Sequence, residues 1–233
     1  MLIFLDLETT GLDLSDKICS IALLYEESYM YELINEGKKI PAQASSIHHI
    51  TNEMIENKPE LKETEVYKFL QEHNSEDNIL VGHNISFDLN MLASIGFVWR
   101  GDIIDTLRVT KHLIPECELF SLQVLRYELK LYKDEKSLAD KYGIKDALEA
   151  HNALSDTLVV KLLYVYLSEM ASLAQMLELS FKKVLLEKFS FGKYKTRYIE
   201  EIAMNDRAYL EWMMGLSDLD EDLRYSVEYY LQG

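Results

Sequence analysis

The sequence has few cysteines, no long apolar run and a shortage of positive charge. Cys19 and Cys117 are the only cysteines in 233 residues, and no metal-type cysteine spacing exists. That excludes a cysteine-ligated zinc site and fits a reducing, cytoplasmic setting. No run approaches the roughly 20 apolar residues of a membrane span. Leu158 to Leu167 is apolar, but Lys161 interrupts it, and it reads as a buried helix. The apolar start breaks at Asp6, which leaves no signal-peptide core. No membrane partner is expected. Lys and Arg number 24 against 40 Asp and Glu, a net charge of −16. Taken alone, this balance argues against nucleic acid, because phosphate binding usually needs a basic surface. The cations are unevenly placed, however. Lys182, Lys183, Lys188, Lys193, Lys195 and Arg197 cluster, with Phe181, Phe189, Phe191, Tyr194 and Tyr198 between them.

What the chain does contain is enough apolar material, 48% of residues, for one sizeable core and a smaller unit. Leu2 to Leu7, Ile18 to Tyr25 and Tyr29 to Ile34 read as three strands joined by short turns, an antiparallel meander. A looser stretch follows through Pro41, Ser45 and His48. Val66, Phe69 and Leu70 have helical spacing. Asn78 to Val81 reads as a strand running into Gly82, and Ser86 opens a helix that closes near Gly96. Ile103-Ile104 resembles another strand, Ser121 precedes a helix over 122–131, and a long helix follows Asn152 to about Glu169. This order predicts an α/β layer with a mixed sheet. The expected division is a main domain over 1–170, a helical connector over 171–190 and a small, mostly helical unit over 191–233. There is no internal repeat and no low-complexity segment.

Two carboxylates close the first apolar strand. Side chains alternate along a strand, so Asp6 and Glu8 share a face. Adjacent carboxylates at the end of a buried strand repel each other and are costly to desolvate, and a hard divalent cation relieves both problems. Asp88, five residues after His83, and Asp156, five residues after His151, sit early in helices otherwise suited to burial. A buried aspartate needs a partner. Singly, each has an ordinary alternative: an exposed strand end for the pair, a first-turn helix carboxylate for either aspartate.

The combination resembles a known family. Asp6-Leu7-Glu8-Thr9-Thr10-Gly11, then Gly82-His83-Asn84-Ile85-Ser86-Phe87-Asp88, then His151-Asn152-Ala153-Leu154-Ser155-Asp156, occur in the order of the three motifs of the DEDDh 3′→5′ exonucleases. The resemblance covers about 1–170 and implies a ribonuclease-H-like α/β fold, a central mixed sheet flanked by helices. Ser46-Ile47-His48-His49-Ile50-Thr51 with Lys58-Pro59, and the tail Phe191-Gly192-Lys193-Tyr194-Lys195 with Asp206, Tyr209, Leu210 and Trp212, resemble the exodeoxyribonuclease X branch. One departure is Thr196, where the tail motif usually has glycine.

The resemblance makes Asp6, Glu8, Asp88 and Asp156 the metal-site acids and implies hydrolysis of phosphodiester bonds with two Mg²⁺ ions, Mn²⁺ being able to substitute. Asp6 is expected to bridge the ions, Glu8 and Asp156 to hold the one carrying the attacking water, and Asp88 to support the other. His151 is the candidate general base, since histidine ordinarily titrates near ~6.5. Thr9 and Leu12 are expected to meet the terminal nucleotide, with Leu12 wedged against the last base. Asn84 and Phe87 flank the second motif and are expected to touch sugar and base. That Leu12 and Phe87 are core residues instead is left open, as is the choice between His48 and His49 for one family position. The basic aromatic segment either tracks a nucleic-acid backbone or packs the small unit. The expected partners are DNA 3′ ends, single-stranded or frayed, in repair. A polymerase proofreading subunit, an exoribonuclease and a non-catalytic binding module are the alternatives.

Overall fold

The computed structural model describes residues 1–145 and 151–232. Five strands, β1 (Leu2–Thr9), β2 (Ile18–Tyr25), β3 (Ser28–Leu33), β4 (Ile79–Gly82) and β5 (Asp102–Asp105), form one sheet in the order β3-β2-β1-β4-β5. β1, β2 and β3 are the expected antiparallel meander. β4 pairs parallel with β1, and β5 parallel with β4. Parallel neighbours need crossovers. The crossover into β4 carries α1 (Ala42–His48), α2 (Asn52–Ile55) and α3 (Glu65–Glu72), and α4 (Ile85–Ser94) links β4 to β5. After β5 come α5 (Thr106–Leu113), α6 (Leu122–Glu128), α7 (Glu135–Tyr142), α8 (Ala153–Ser168) and α9 (Leu173–Leu179). The mixed sheet flanked by helices is the ribonuclease-H-like architecture.

Alternation along β1 divides the core in two. Ile3, Leu5 and Leu7 face Val66 and Leu70 of α3 and Met91 and Leu92 of α4. Phe4 faces the other way, into a core with Leu158, Val159 and Leu163 of α8. Asp6 and Glu8 continue the Phe4 face, so the two acids point toward the side covered by α8. α8 starts where Asn152 caps it, its side chain accepting from the Leu154 and Ser155 N–H groups at 3.1 and 3.3 Å. The Lys161 ammonium that interrupts the apolar run lies 4.4 Å from the centre of the Phe4 ring, so its stem is packed and its charge sits on an aromatic face. Among the described residues no single helix is long and apolar enough to cross a membrane.

Three local readings change. The stretch after Pro41 forms α1, a helix with only His48 buried, ended by His49 in the left-handed region (φ 61°); it has no apolar period to reveal it. α6 ends at Glu128, not near Leu131, because Lys130 turns left-handed (φ 60°) and a 3₁₀ turn follows. Past α9, the chain over 180–188 is irregular.

Beyond it, α10 (Ile199–Asn205), α11 (Arg207–Met214) and α12 (Glu221–Gln232) enclose a separate core of Phe189, Ile199, Ile202, Leu210, Met213, Leu223 and Val227. Three of the six cations of the basic segment are engaged inside this unit. Lys193 pairs with Asp206 at 3.1 Å, Arg197 pairs with Glu201, and Lys188 covers the Tyr198 ring. Tyr194 donates to Asp206 at 2.5 Å and meets Tyr209 edge-on. The aromatics there mainly pack the small unit.

Thr196 makes the turn that its motif usually gives to glycine. It adopts φ 69°, and its N–H donates to Phe189 O at 2.7 Å. The left-handed conformation costs an L-residue about 1–2 kcal/mol, against about 0.4–1 kcal/mol of extra unfolded-chain entropy for glycine. Thr196→Gly should therefore stabilise the C-terminal unit, by up to about 1 kcal/mol. Thermal melting checks this; a lowered Tm contradicts the strain.

Candidate active site

The site begins where β1 stops pairing regularly. The β1–β2 register shifts between Glu8 and Thr9, and the chain turns away. Thr9 is buried and its hydroxyl donates to Gly11 O at 2.6 Å. Thr10 donates to Asp16 at 2.8 Å, and Lys38 holds the same carboxylate. A Cβ on Gly11 would lie 2.5 Å from that carboxylate, so a larger residue there would have to displace Asp16 from Thr10 and Lys38. Leu12, carried by this turn, is 86% exposed. It is not a core residue. Phe87 is half-buried against the α3–α4 core.

Asp156 lies in the first turn of α8, and the fold brings it to the β1 pair. Carboxylate oxygens of Asp6, Glu8 and Asp156 all lie within 4.8 Å of one another. Asp88, in the first turn of α4, is buried. It falls outside that close group of three, yet its charge acts on both Asp6 and Glu8. Burial, then repulsion from Asp156 and Asp88, holds the Asp6 carboxyl well above the usual range. The same causes push Glu8 up to about 8. Asp88 rises to about 8, mainly by burial, against the opposing pull of the Asp88 and Leu7 backbone N–H groups. Asp156 rises only to about 6, because Gln123, Arg126 and the His151 backbone N–H counter its burial. Burial raises all four, Asp156 least, and a bound cation would relieve that cost.

The histidines separate clearly. His151 is exposed, in the left-handed region (φ 57°), immediately before the N-cap of α8. His83 is tied between Thr106 Oγ1 at 3.0 Å and Phe120 O at 2.8 Å, and burial lowers it to about 4. It is a packing histidine. His48 is buried: its Nδ1 accepts from Ile50 N–H at 3.1 Å, and its Nε2 lies 3.8 Å from Cys19 Sγ. His49 is exposed. Asn84 is exposed at the N-cap of α4 in the left-handed region (φ 61°), and its N–H donates to Asp105 Oδ1 at 2.9 Å.

Two residues of the site's surroundings escaped the sequence reading. Asp105 ends β5 as Asp6 and Glu8 end β1, so the same signal marked it. Its carboxylate is occupied by the N–H groups of Asn84 and Leu107, and it fastens the start of α4 to α5. Gln123 donates to Asp156 Oδ1 at 2.6 Å. A polar residue near a helix start is too ordinary to stand out.

Comparison with known proteins identifies the family. The family model described as "Exonuclease" matches residues 3–164, and one described as "Exodeoxyribonuclease X-like C-terminal" matches 189–215. Exodeoxyribonuclease 10 of Escherichia coli (strain K12) is 26% identical over 238 residues, covering 100% of this chain and 99% of that protein. DNA polymerase III PolC-type of Thermotoga maritima is 28% identical over 218 residues, covering 88% of this chain but 14% of that much longer protein. A solved structure, exonuclease X in complex with 5′ overhanging duplex DNA, superposes with a TM-score of 0.61 and 26% identity over 77% of this chain and 99% of that one. With more than two thirds of its length inside the first of these family models, the chain belongs to the exonuclease family and is a phosphodiester hydrolase of the 3′→5′ type.

Proposed function

We propose that the protein removes nucleotides from DNA 3′ ends with two divalent cations held by Asp6, Glu8, Asp156 and Asp88. The observation that carries this reading is the set of three carboxylates with oxygens within 4.8 Å of one another. Such a set is unfavourable alone and fitted to a cation. Its donors are all oxygen, which suits Mg²⁺, with Mn²⁺ as a substitute, and disfavours zinc. When bound, the cations supply a nucleophilic water at neutral pH and charge relief at the leaving 3′ oxygen. His151, exposed beside the α8 N-cap, would accept the proton of that water. Leu12 wedges against the terminal base, Thr9 lines the turn that receives the last nucleotide, and Asn84 and Phe87 contact the second motif's side of the strand.

DNA as substrate is supported by the full-length likeness to exodeoxyribonuclease 10 and by the likeness to exonuclease X with duplex DNA. The proposed ends are single-stranded or frayed, and the proposed role is repair in the cytoplasm. A proofreading role is the second reading, favoured only by the likeness to a PolC-type polymerase. The proposed division is a catalytic domain over 1–170, a connector over 171–190 and a small domain over 191–233, supported by the separate core around Phe189 and Leu210.

Labelled DNA and RNA oligonucleotides test the reading directly. Degradation should proceed from the 3′ end of DNA with Mg²⁺ and stop with EDTA or Asp6→Ala; activity that survives either defeats the metal reading, and preference for RNA defeats the substrate. His151→Ala should cut turnover by about two to four orders of magnitude with Mn²⁺ affinity unchanged. A full rate removes His151 from the chemistry.

The raised carboxylates also set a pH dependence. Between the ordinary carboxylate range, about 4, and about 8, the metal-free folded chain holds more protons than the unfolded chain. Its stability should therefore fall as pH rises through that window. A cation replaces those protons, so the Tm gained with Mn²⁺ should be larger at the alkaline end of the window than at the acid end. Calorimetry at neutral pH should detect protons released on binding. An equal Tm gain at both ends would show that the acids are not the ligands.

A further inference from the structure

α6 and α7 bring a line of polar side chains to Asp156. Gln123 Nε2 donates to Asp156 Oδ1 at 2.6 Å, and Gln123 Oε1 accepts from Arg126 Nη1 at 3.2 Å. Arg126 meets Glu135 through two bonds of 2.5 Å, Nε to Oε1 and Nη2 to Oε2. Arg126 and Glu135 are both buried. Gln123 and Arg126 stand three residues apart on α6 and so share a face.

The chemistry of these groups sets the direction of the line. A guanidinium carries only donors, so it must face the carbonyl oxygen of Gln123. The amide NH₂ is then the end presented to Asp156. Arg126 makes the flipped amide doubly unfavourable, since its NH₂ would then meet the guanidinium and its oxygen the carboxylate. Glu135 in turn fixes the guanidinium plane through its bidentate contact. A buried ion pair is a poor source of stability, since desolvation offsets most of its attraction; this one stands one residue removed from a metal-site acid. The neutral link also matters. Arg126 placed directly on Asp156 would neutralise the carboxylate, whereas Gln123 orients it and leaves its charge available.

We infer that Gln123, with its amide set by the Arg126–Glu135 pair, is a positioning residue that holds the Asp156 carboxylate toward Asp6 and Glu8 for metal binding. This rests on the reading of Asp156 as a metal-site acid. Groups that orient metal ligands typically contribute about 10–100-fold to metal affinity.

The test is Mn²⁺ binding to the full chain, followed by electron paramagnetic resonance, beside steady-state kinetics on DNA. Asp156→Ala calibrates the site and should lose the Mn²⁺ ion that Asp156 shares with Glu8, leaving at most the one held with Asp88. Gln123→Met keeps the side-chain shape and removes both polar ends. It should weaken Mn²⁺ about tenfold or more and leave KM for DNA unchanged, with turnover recovering at high Mn²⁺. Arg126→Lys should weaken Mn²⁺ in the parent but add little in the Gln123→Met background, because both act through one line. Gln123→Glu, which sets a like charge against Asp156, should weaken it as well. Should Arg126→Lys not fold, the two Gln123 variants, at a half-buried position, decide alone. Mn²⁺ affinity within twofold of the parent in Gln123→Met, while Asp156→Ala has lost the ion shared with Glu8, overturns the inference and leaves the metal site standing. An equal Arg126→Lys effect in both backgrounds overturns it too. Mn²⁺ binding of unchanged stoichiometry and affinity in Asp156→Ala removes the metal reading of that residue and this inference together.

Discussion

Repulsion among carboxylates in a place with little water is the constraint on which the site depends. β1 runs through the middle of the sheet, and its alternation directs Phe4, Asp6 and Glu8 to one face. α8 covers that face, and its first turn delivers Asp156 to the same spot. From the far side of the strand, the start of α4 adds Asp88. Each placement is favourable for the surrounding core and unfavourable for the charges, which is why Asp6, Glu8, Asp88 and Asp156 are all raised. Apolar packing on both faces of the sheet holds together what electrostatics alone would separate.

The neighbours of these acids orient them more than they neutralise them. Asp156 receives a neutral amide from Gln123, and Asp88 is opposed mainly by backbone N–H groups. Arg126, the nearby cation, is committed to Glu135. The site keeps a negative field that only an added cation inverts. This removes the apparent conflict between a net charge of −16 and a polyanionic substrate. What matters to a phosphate is the potential where it lands, and there the metal ions dominate the protein's overall sign.

Much of this was legible in the sequence because it depends on periodicity. The five strands, the long helix after Asn152 and the shared face of Asp6 and Glu8 follow from alternation and apolar spacing. The approach of Asp156 to the β1 pair followed from motif order, which carries no distances. Periodicity is silent where an element has no apolar stripe, as in α1, whose one buried residue is His48. It is silent again on pairing. The sequence left the cations near Phe189 either open to phosphate or part of the small unit, because Asp206 and Glu201, which engage Lys193 and Arg197, lie four or more residues away. Gln123 was invisible for a related reason: its partner Asp156 belongs to a later helix, as does Glu135, which holds Arg126. Asp105 carried the same strand-end signal as Asp6, and only the structure shows its oxygen already taken by backbone donors.

α5 links the catalytic side to the C-terminal unit. At its start, Asp105 accepts from Asn84 N–H and so sets the first turn of the helix that carries Asp88. The Asp105 N–H donates to Ser180 Oγ, just past α9. One turn further on, Arg108 forms two 3.1 Å bonds with Asp222 of α12 and donates to Lys182 O. Asp222, only 3% exposed, also accepts from Val184 N–H at 2.9 Å. A buried carboxylate with an arginine and a backbone donor is costly to break, because removing either partner leaves charge stranded. A single short helix therefore fixes both the position of Asp88 and the docking of α12, so the small unit is seated on the frame that shapes the site.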